Sequence, residues 1–151
     1  MDAVSVDTAV AVTDQSRRTW WRKISKGEVS SVQKDHRGRT MLSWPDVLPY
    51  ICTPLHPENL PFVLRADAGD ADAQNDVAQF FMSAGQHKAA LYWLQKAVEQ
   101  NHADAMLWLG HCYINGHGVP KNEHLGVMWI AKAAAHGHLI AQSLMNGLLY
   151  R

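Results

Sequence analysis

Two stretches of the chain say nearly the same thing, and that duplication narrows the fold more than any other feature. Residues 73–98 read AQNDVAQFFMSAGQHKAALYWLQKAV, and residues 105–134 read AMLWLGHCYINGHGVPKNEHLGVMWIAKAA. Ala73 pairs with Ala105, Phe81 with Tyr113, Trp93 with Trp129, and Lys96-Ala97 with Lys132-Ala133. The early pairs are offset by 32 residues and the late pairs by 36, so the turn inside the first copy is four residues shorter. A unit of this length is one helical hairpin, which cannot bury its apolar face alone. Copies stacked side by side bury a continuous core. The expectation is an all-α chain, an α/α solenoid of short helix-turn-helix repeats with an open trough instead of a closed catalytic pocket.

Helical periodicity is steady from Glu58 onward. Leu60, Val63 and Leu64 share one face of a helix that ends by Gly69. A helix over about 70–85 starts among acids, which suit the positive end of a helix dipole, and buries Val77, Phe80 and Phe81. The next, over 88–100, buries Leu91, Leu94, Ala97 and Val98. A third starts near Asp104, buries Leu109, Cys112 and Tyr113, and stops at Asn115-Gly116. A fourth covers 123–135 and closes at Gly137, a left-handed cap position. A fifth starts near Leu139 and carries Ile140, Leu144, Met145, Leu148 and Leu149.

Residues 1–16 are small, polar and aperiodic, and read as a flexible tail. Residues 17–52 form a basic, tryptophan-containing arm. Eight bases lie between Arg17 and Arg39 against only Glu28 and Asp35, although the whole chain has a formal net charge of zero. Within the arm, RRTWWRKISK suits a short helix, 27–40 a loop or short extended piece, and 41–52 a helical turn opening at Ser43 with Pro45 near its first position. Residues 53–151, entered through a proline-rich linker, form the repeat domain.

Other classes lack their signatures. Two cysteines make no disulfide framework, and Cys112 on an apolar face reads as a buried thiol. The start of the chain lacks a secretory signal, and no apolar run is long enough to cross a bilayer, so the expected location is the cytoplasm. Seven of nine histidines lie between His87 and His138. His87, His117 and His124 fall towards one set of turns; His102, His136 and His138 fall towards the other. There is no Cys-x-x-Cys, no His-Glu-x-x-His and no Ser–His–acid set, so no metal, no cofactor and no catalytic residue is expected.

The run Ala105, Leu109-Gly110, Tyr113, Gly116-x-Gly118-Val119, Lys121-Asn122, Trp129 and Lys132-Ala133-Ala134, followed by Gly137 and Ala141, resembles a Sel-1-like repeat. That family is similar to the tetratricopeptide repeats. The first copy keeps Ala73, Phe81, Ala90, Trp93 and Lys96-Ala97 but lacks the Gly-x-Gly-Val loop. In the second, Gly126 stands where the family prefers Ala. Residues 58–69 look like the last helix of a preceding unit, and 139–151 like the first helix of a following one. The resemblance implies a right-handed superhelix that acts as a non-catalytic adaptor, gripping a protein or peptide on its concave face. By the same resemblance that face carries Asp72, Asn75, Gln79 and Met82, then Asp104, Leu107, His111 and Ile114, then Ile140, Ser143, Gly147 and Tyr150. Asn75, Gln79, Met82, Leu107, His111 and Ile114 are the expected partner-binding residues.

Two further expectations come from the residues themselves. Arg17, Arg18, Trp20, Trp21, Arg22 and Lys23 interleave charge with rings, which suits a nucleic acid or an anionic surface as the alternative function. Leu144, Leu148 and Leu149 cannot all face one preceding hairpin. They suggest a homo-oligomer through the C-terminal helix, or cover by the N-terminal region.

Overall fold

Serine hydroxyls begin the first two helices. Strand β1 (Ala3–Ser5) leads directly into α1 (Val6–Val12), where Ser5 Oγ accepts the Thr8 N–H at 3.2 Å. Helix α2 (Arg17–Ser25) starts at Ser16, whose Oγ accepts the Thr19 N–H at 3.1 Å. Each bond satisfies one amide that the first turn leaves without a partner. Strands β2 (Ser31–Val32) and β3 (Met41–Ser43) complete a small antiparallel sheet in the order β1-β3-β2. Its register sets Ala3 opposite Ser43 and Ser31 opposite Leu42. Helix α3 (Trp44–Val47) follows with Pro45 in its first turn, then a 3₁₀ turn (Leu48–Tyr50). Helix α4 (Leu60–Asp67) closes this first unit. The computed structural model describes residues 2–149 of a chain with two compact units, Met1–Ala68 and Gly69–Arg151.

The N-terminal tail and arm are therefore folded, which corrects the expectation of a flexible segment. Val4, Val6, Ala9 and Val12 are all buried. A three-residue strand and a seven-residue helix are too short to show a period, and their partners lie far along the chain. Asp67 is the chief of these. Its carboxylate accepts the Ser5 N–H at 3.1 Å, the Ser5 hydroxyl at 2.6 Å and the Thr8 hydroxyl at 2.6 Å, and Arg39 Nη1 lies 3.3 Å away. A buried carboxylate needs that many donors to offset its lost hydration. Trp20 is fully buried in the same unit, its indole N–H donating to Thr13 Oγ1 at 3.2 Å and its ring edge-on to Tyr50. Helix α4 belongs here too. The domain boundary lies at 68/69, not near residue 53, and α4 serves the sheet through Asp67 instead of ending an earlier repeat.

The second unit follows the duplication. Helices α5 (Ala71–Ser83) and α6 (His87–Val98) form the first hairpin; α7 (Ala103–Asn115) and α8 (Glu123–Ala135) form the second; α9 (Leu139–Leu149) follows. Helix α6 also packs on α7, and α8 on α9. Met106, Leu107, Ile130, Ala133 and Ala141 make one buried cluster across α7, α8 and α9. Phe81, Trp93 and Leu94 fill the first hairpin. The paired tryptophans differ in cover. Trp93 is buried, whereas Trp129 packs at the edge of the cluster with the Lys132 ammonium 4.8 Å from its ring centre.

Helices α7 and α8 touch backbone to backbone at two glycines. A Cβ on Gly110 would lie 2.8 Å from the Gly126 carbonyl oxygen and 2.8 Å from Ile130 Cγ1. A Cβ on Gly126 would meet Ile114 Cγ1 and sit 2.8 Å from the Gly110 carbonyl oxygen. The related family's alanine at this place is thus denied to this chain by its own Ile114. In an isolated helix Gly→Ala gains up to about 1 kcal/mol. Here Gly126→Ala is expected to cost about 1–3 kcal/mol instead, because the backbones must part. Urea unfolding of the two proteins side by side checks the sign.

Candidate functional site

Three first helices, α5, α7 and α9, are tied together at their N-terminal ends by histidine. His102 caps α7: its Nδ1 accepts the Ala105 N–H at 3.2 Å while its Nε2 meets Asp72 Oδ1 of α5 at 2.8 Å. His138 repeats the arrangement on α9. Its Nδ1 accepts the Ala141 N–H at 3.3 Å and its Nε2 meets Asp104 Oδ1 of α7 at 2.9 Å. Because Nδ1 accepts, Nε2 carries the proton and donates. Asn75 adds a second strut, donating from Nδ2 to Asp104 Oδ2 at 2.8 Å. Each imidazole thus ends one helix correctly and fixes its distance from the helix before it.

Towards their C-terminal ends α5 and α7 leave a cleft of about 400 Å³. It is lined by Gln79, Met82 and Ser83 from α5, Trp108, His111, Cys112 and Asn115 from α7, and by His87 and His117. The rings of His87 and His117 stack with centroids 4.4 Å apart and planes 13° from parallel. Asn115 donates its amide to the His111 carbonyl at 3.0 Å. Burial pushes the Cys112 thiol up to about 11, so it is a neutral apolar wall and not a nucleophile. Among the described residues no group of three His, Cys, Asp or Glu is placed to hold a metal ion.

The structure brings three of the six expected binding residues, Gln79, Met82 and His111, to this cleft. The other three are used inside the fold. Asn75 is only 6 % exposed and is committed to Asp104. Leu107 lies in the buried cluster and Ile114 packs against it. Asn75 and Leu107 occupy the same repeat position, which faces the following first helix: polar in one copy, apolar in the next. Among the other residues expected on this face, Asp72 and Asp104 accept the histidines, Ile140 is exposed, and Tyr150 lies outside the described residues. Sequence reasoning missed Trp108, Cys112 and Asn115, although Trp108, Cys112 and Asn115 follow one another at helical spacing along one face. It placed His87 and His117 at the same set of turns without seeing that they stack.

The basic arm is partly tied up in its own unit. Arg17 pairs with Asp7. Lys23 is 8 % exposed, 3.1 Å from the Tyr50 hydroxyl and 3.5 Å from Glu28. Arg39 pairs with Asp35 at 2.7 Å as well as with Asp67. Trp20 is buried and so unable to stack on a base. Only Arg18, Trp21 and Arg22 of the six arm residues face solvent without one of these roles. Among the described residues no helix is long and apolar enough to cross a membrane.

The Sel1 repeat family matches residues 71–102 and 103–138. A Sel1 repeat protein from Oxalobacter formigenes, known from its crystal structure, is 30% identical with a TM-score of 0.52, over 59% of this chain and 70% of its own. The antigen c5321 is described as a protective antigen present in uropathogenic Escherichia coli strains and displaying an SLR fold. It is 29% identical with a TM-score of 0.53 over 59% of this chain, which spans only 20% of the antigen's length. No curated protein matches.

The struts make a prediction about acid. Burial opposes ionisation of Asp104, but the bonds from His138 and Asn75 outweigh it and hold the carboxyl below its ordinary value of 3.8. A depressed carboxyl contributes stability that is present above its unfolded value and is lost as pH falls through the folded one. Asp104→Asn is therefore expected to lower stability at neutral pH and to flatten the decline that sets in as pH falls below about 5. Unfolding curves of both proteins across that range test this; parallel declines would count against it.

Proposed function

The chain belongs to the Sel1 repeat family, and from that premise we propose that it is a non-catalytic adaptor that binds a protein partner on its first-helix face. One observation carries the reading: a cleft of about 400 Å³ between α5 and α7, with apolar walls and polar groups not engaged elsewhere. Sel1 repeats are generally protein-interaction modules, which supports an adaptor role, and in this reading the cleft is the binding face. The site is small, so it would bury a modest area and hold its partner with about micromolar affinity. The neutral Cys112 thiol in its wall supports a binding role. The cytoplasm remains the proposed location.

Binding of nucleic acid or an anionic surface by residues 17–39 has less to rest on, since Arg17, Trp20, Lys23 and Arg39 hold the N-terminal unit together. Self-association has firmer support. Helix α9 carries no charged residue, and Leu139, Ile140, Leu144 and Leu148 are 79%, 61%, 41% and 46% exposed. An uncharged helix with that much apolar surface in water favours pairing with a like surface.

Two measurements test these readings. In a tagged pull-down, Gln79→Ala/Met82→Ala/His111→Ala is expected to lose the partner, while Arg18→Ala/Trp21→Ala/Arg22→Ala keeps it. The reverse pattern would favour the basic helix. In light scattering, the wild type is expected to gain mass with concentration and Leu144→Asp/Leu148→Asp to stay monomeric; a wild type that is monomeric throughout removes self-association.

A further inference from the structure

The imidazoles that join α5, α7 and α9 use their two nitrogens in opposite senses. Nδ1 of His102 accepts the Ala105 N–H, and Nδ1 of His138 accepts the Ala141 N–H. Nε2 of each donates to a carboxylate, Asp72 Oδ1 at 2.8 Å and Asp104 Oδ1 at 2.9 Å. Both bonds exist together only in a ring with one proton, held on Nε2. The two side chains are 17% and 15% exposed, so solvent protons reach both rings.

A second proton has one place to go, Nδ1. There it sets an N–H against the amide N–H that the ring was accepting. The cap is lost, and the new cation lies at the positive end of its own helix, which opposes it further. The opposite happens at Nε2. That nitrogen keeps its proton, and its bond to the carboxylate becomes an ion pair.

The charged groups around the rings are consistent with this division. Asp72 faces His102 from α5, and Asp104 faces His138 from α7. Asp104 also lies in the first turn of α7, where Asn75 takes its other oxygen. Asp70 is engaged at the start of α5, accepting the Ala73 N–H, and Glu99 at the end of α6 is exposed. The lysines in the last turns of α6 and α8 lie over rings of their own helices, Lys96 over Tyr92 and Lys132 over Trp129. His136, two residues before His138, sets its Nδ1 against the Lys132 carbonyl.

We propose that these histidines give the array a two-stage response to acid: protonation of the imidazoles uncaps α7 and α9 while their ties to the preceding first helix hold, and only protonation of the carboxylates, at lower pH, breaks the ties. An imidazole ordinarily takes its second proton near about pH 6.5 and an aspartate near about 4, so the stages separate. The bonds from His138 and Asn75 widen the gap at Asp104, since they hold its carboxyl below 3.8. Neighbouring hairpins thus keep their tie through the range in which the helix starts loosen.

The test is a pH titration of the full-length ¹⁵N-labelled protein followed by NMR. At neutral pH the rings of His102 and His138 are expected to carry a proton on Nε2 alone. As they charge, hydrogen-exchange protection of the Ala105 and Ala141 amides is expected to fall by about tenfold, while the Nε2 protons stay visible until the carboxylates titrate. His138→Asn keeps a capping oxygen and removes the titrating group. In that variant the protection of Ala141 is expected to be constant across the imidazole range, while Ala105 still loses its own. Any of five results overturns the proposal: a neutral ring protonated on Nδ1, rings that stay neutral until the carboxylates titrate, amides that stay protected while the rings charge, Nε2 protons lost together with the caps, or Ala141 protection that still falls in His138→Asn.

Discussion

Neighbouring hairpins are held in register by an imidazole that works with both nitrogens. His102 and His138 each cap their own helix through Nδ1 and reach the preceding first helix through Nε2. A serine or asparagine cap would satisfy the helix end but would not span the gap. Histidine is long enough, flat enough and doubly functional. Because the second bond lands on a carboxylate, the neutral ring gains a charge-assisted contact without carrying charge itself. The N-terminal ends of α5, α7 and α9 are joined in this way, and the cleft lies towards the other ends of α5 and α7.

Packing between the two helices of the second hairpin sets the other dimension. Gly110 and Gly126 let two backbones meet, and Ile114 and Ile130 close over them. Close approach is a short-range constraint and admits no compromise by side-chain rotation. Hence a single methyl group is felt there, whereas changes on the exposed face of α8 are not. The first hairpin uses Phe81, Trp93 and Leu94 for the same end.

The N-terminal unit works by another rule. Its core is small, and it is organised around one buried carboxylate. Asp67 collects donors from β1, α1 and Arg39, and so joins the start of the unit to its end. Arg39 is drawn into that cluster, and Arg17 and Lys23 are paired elsewhere in the unit. Arg17, Lys23 and Arg39 look available as letters in a row but are paired once the chain folds. A charge run read from sequence says how many ions there are, not how many are left over.

The five repeat helices were legible in the sequence, because a period of 3.6 residues, a duplicated spacing and a glycine stop are all local signals. The candidate face was legible in part. Gln79, Met82 and His111 could be placed by repeat position, but Ile114, the counterpart of Met82, and Leu107, the counterpart of Asn75, pack into the cluster of α7, α8 and α9. Nothing local distinguishes a side chain that faces a trough from one that faces the next helix one turn around. What only the tertiary structure decided is every contact made across long separations: Asp67 with Ser5 and Thr8, His87 stacked on His117, and the carboxylates that answer His102 and His138. The sequence by itself determined where hairpins form, since that is settled within each unit. The cleft needed three dimensions, since it is a gap between neighbouring hairpins and no residue encodes a gap.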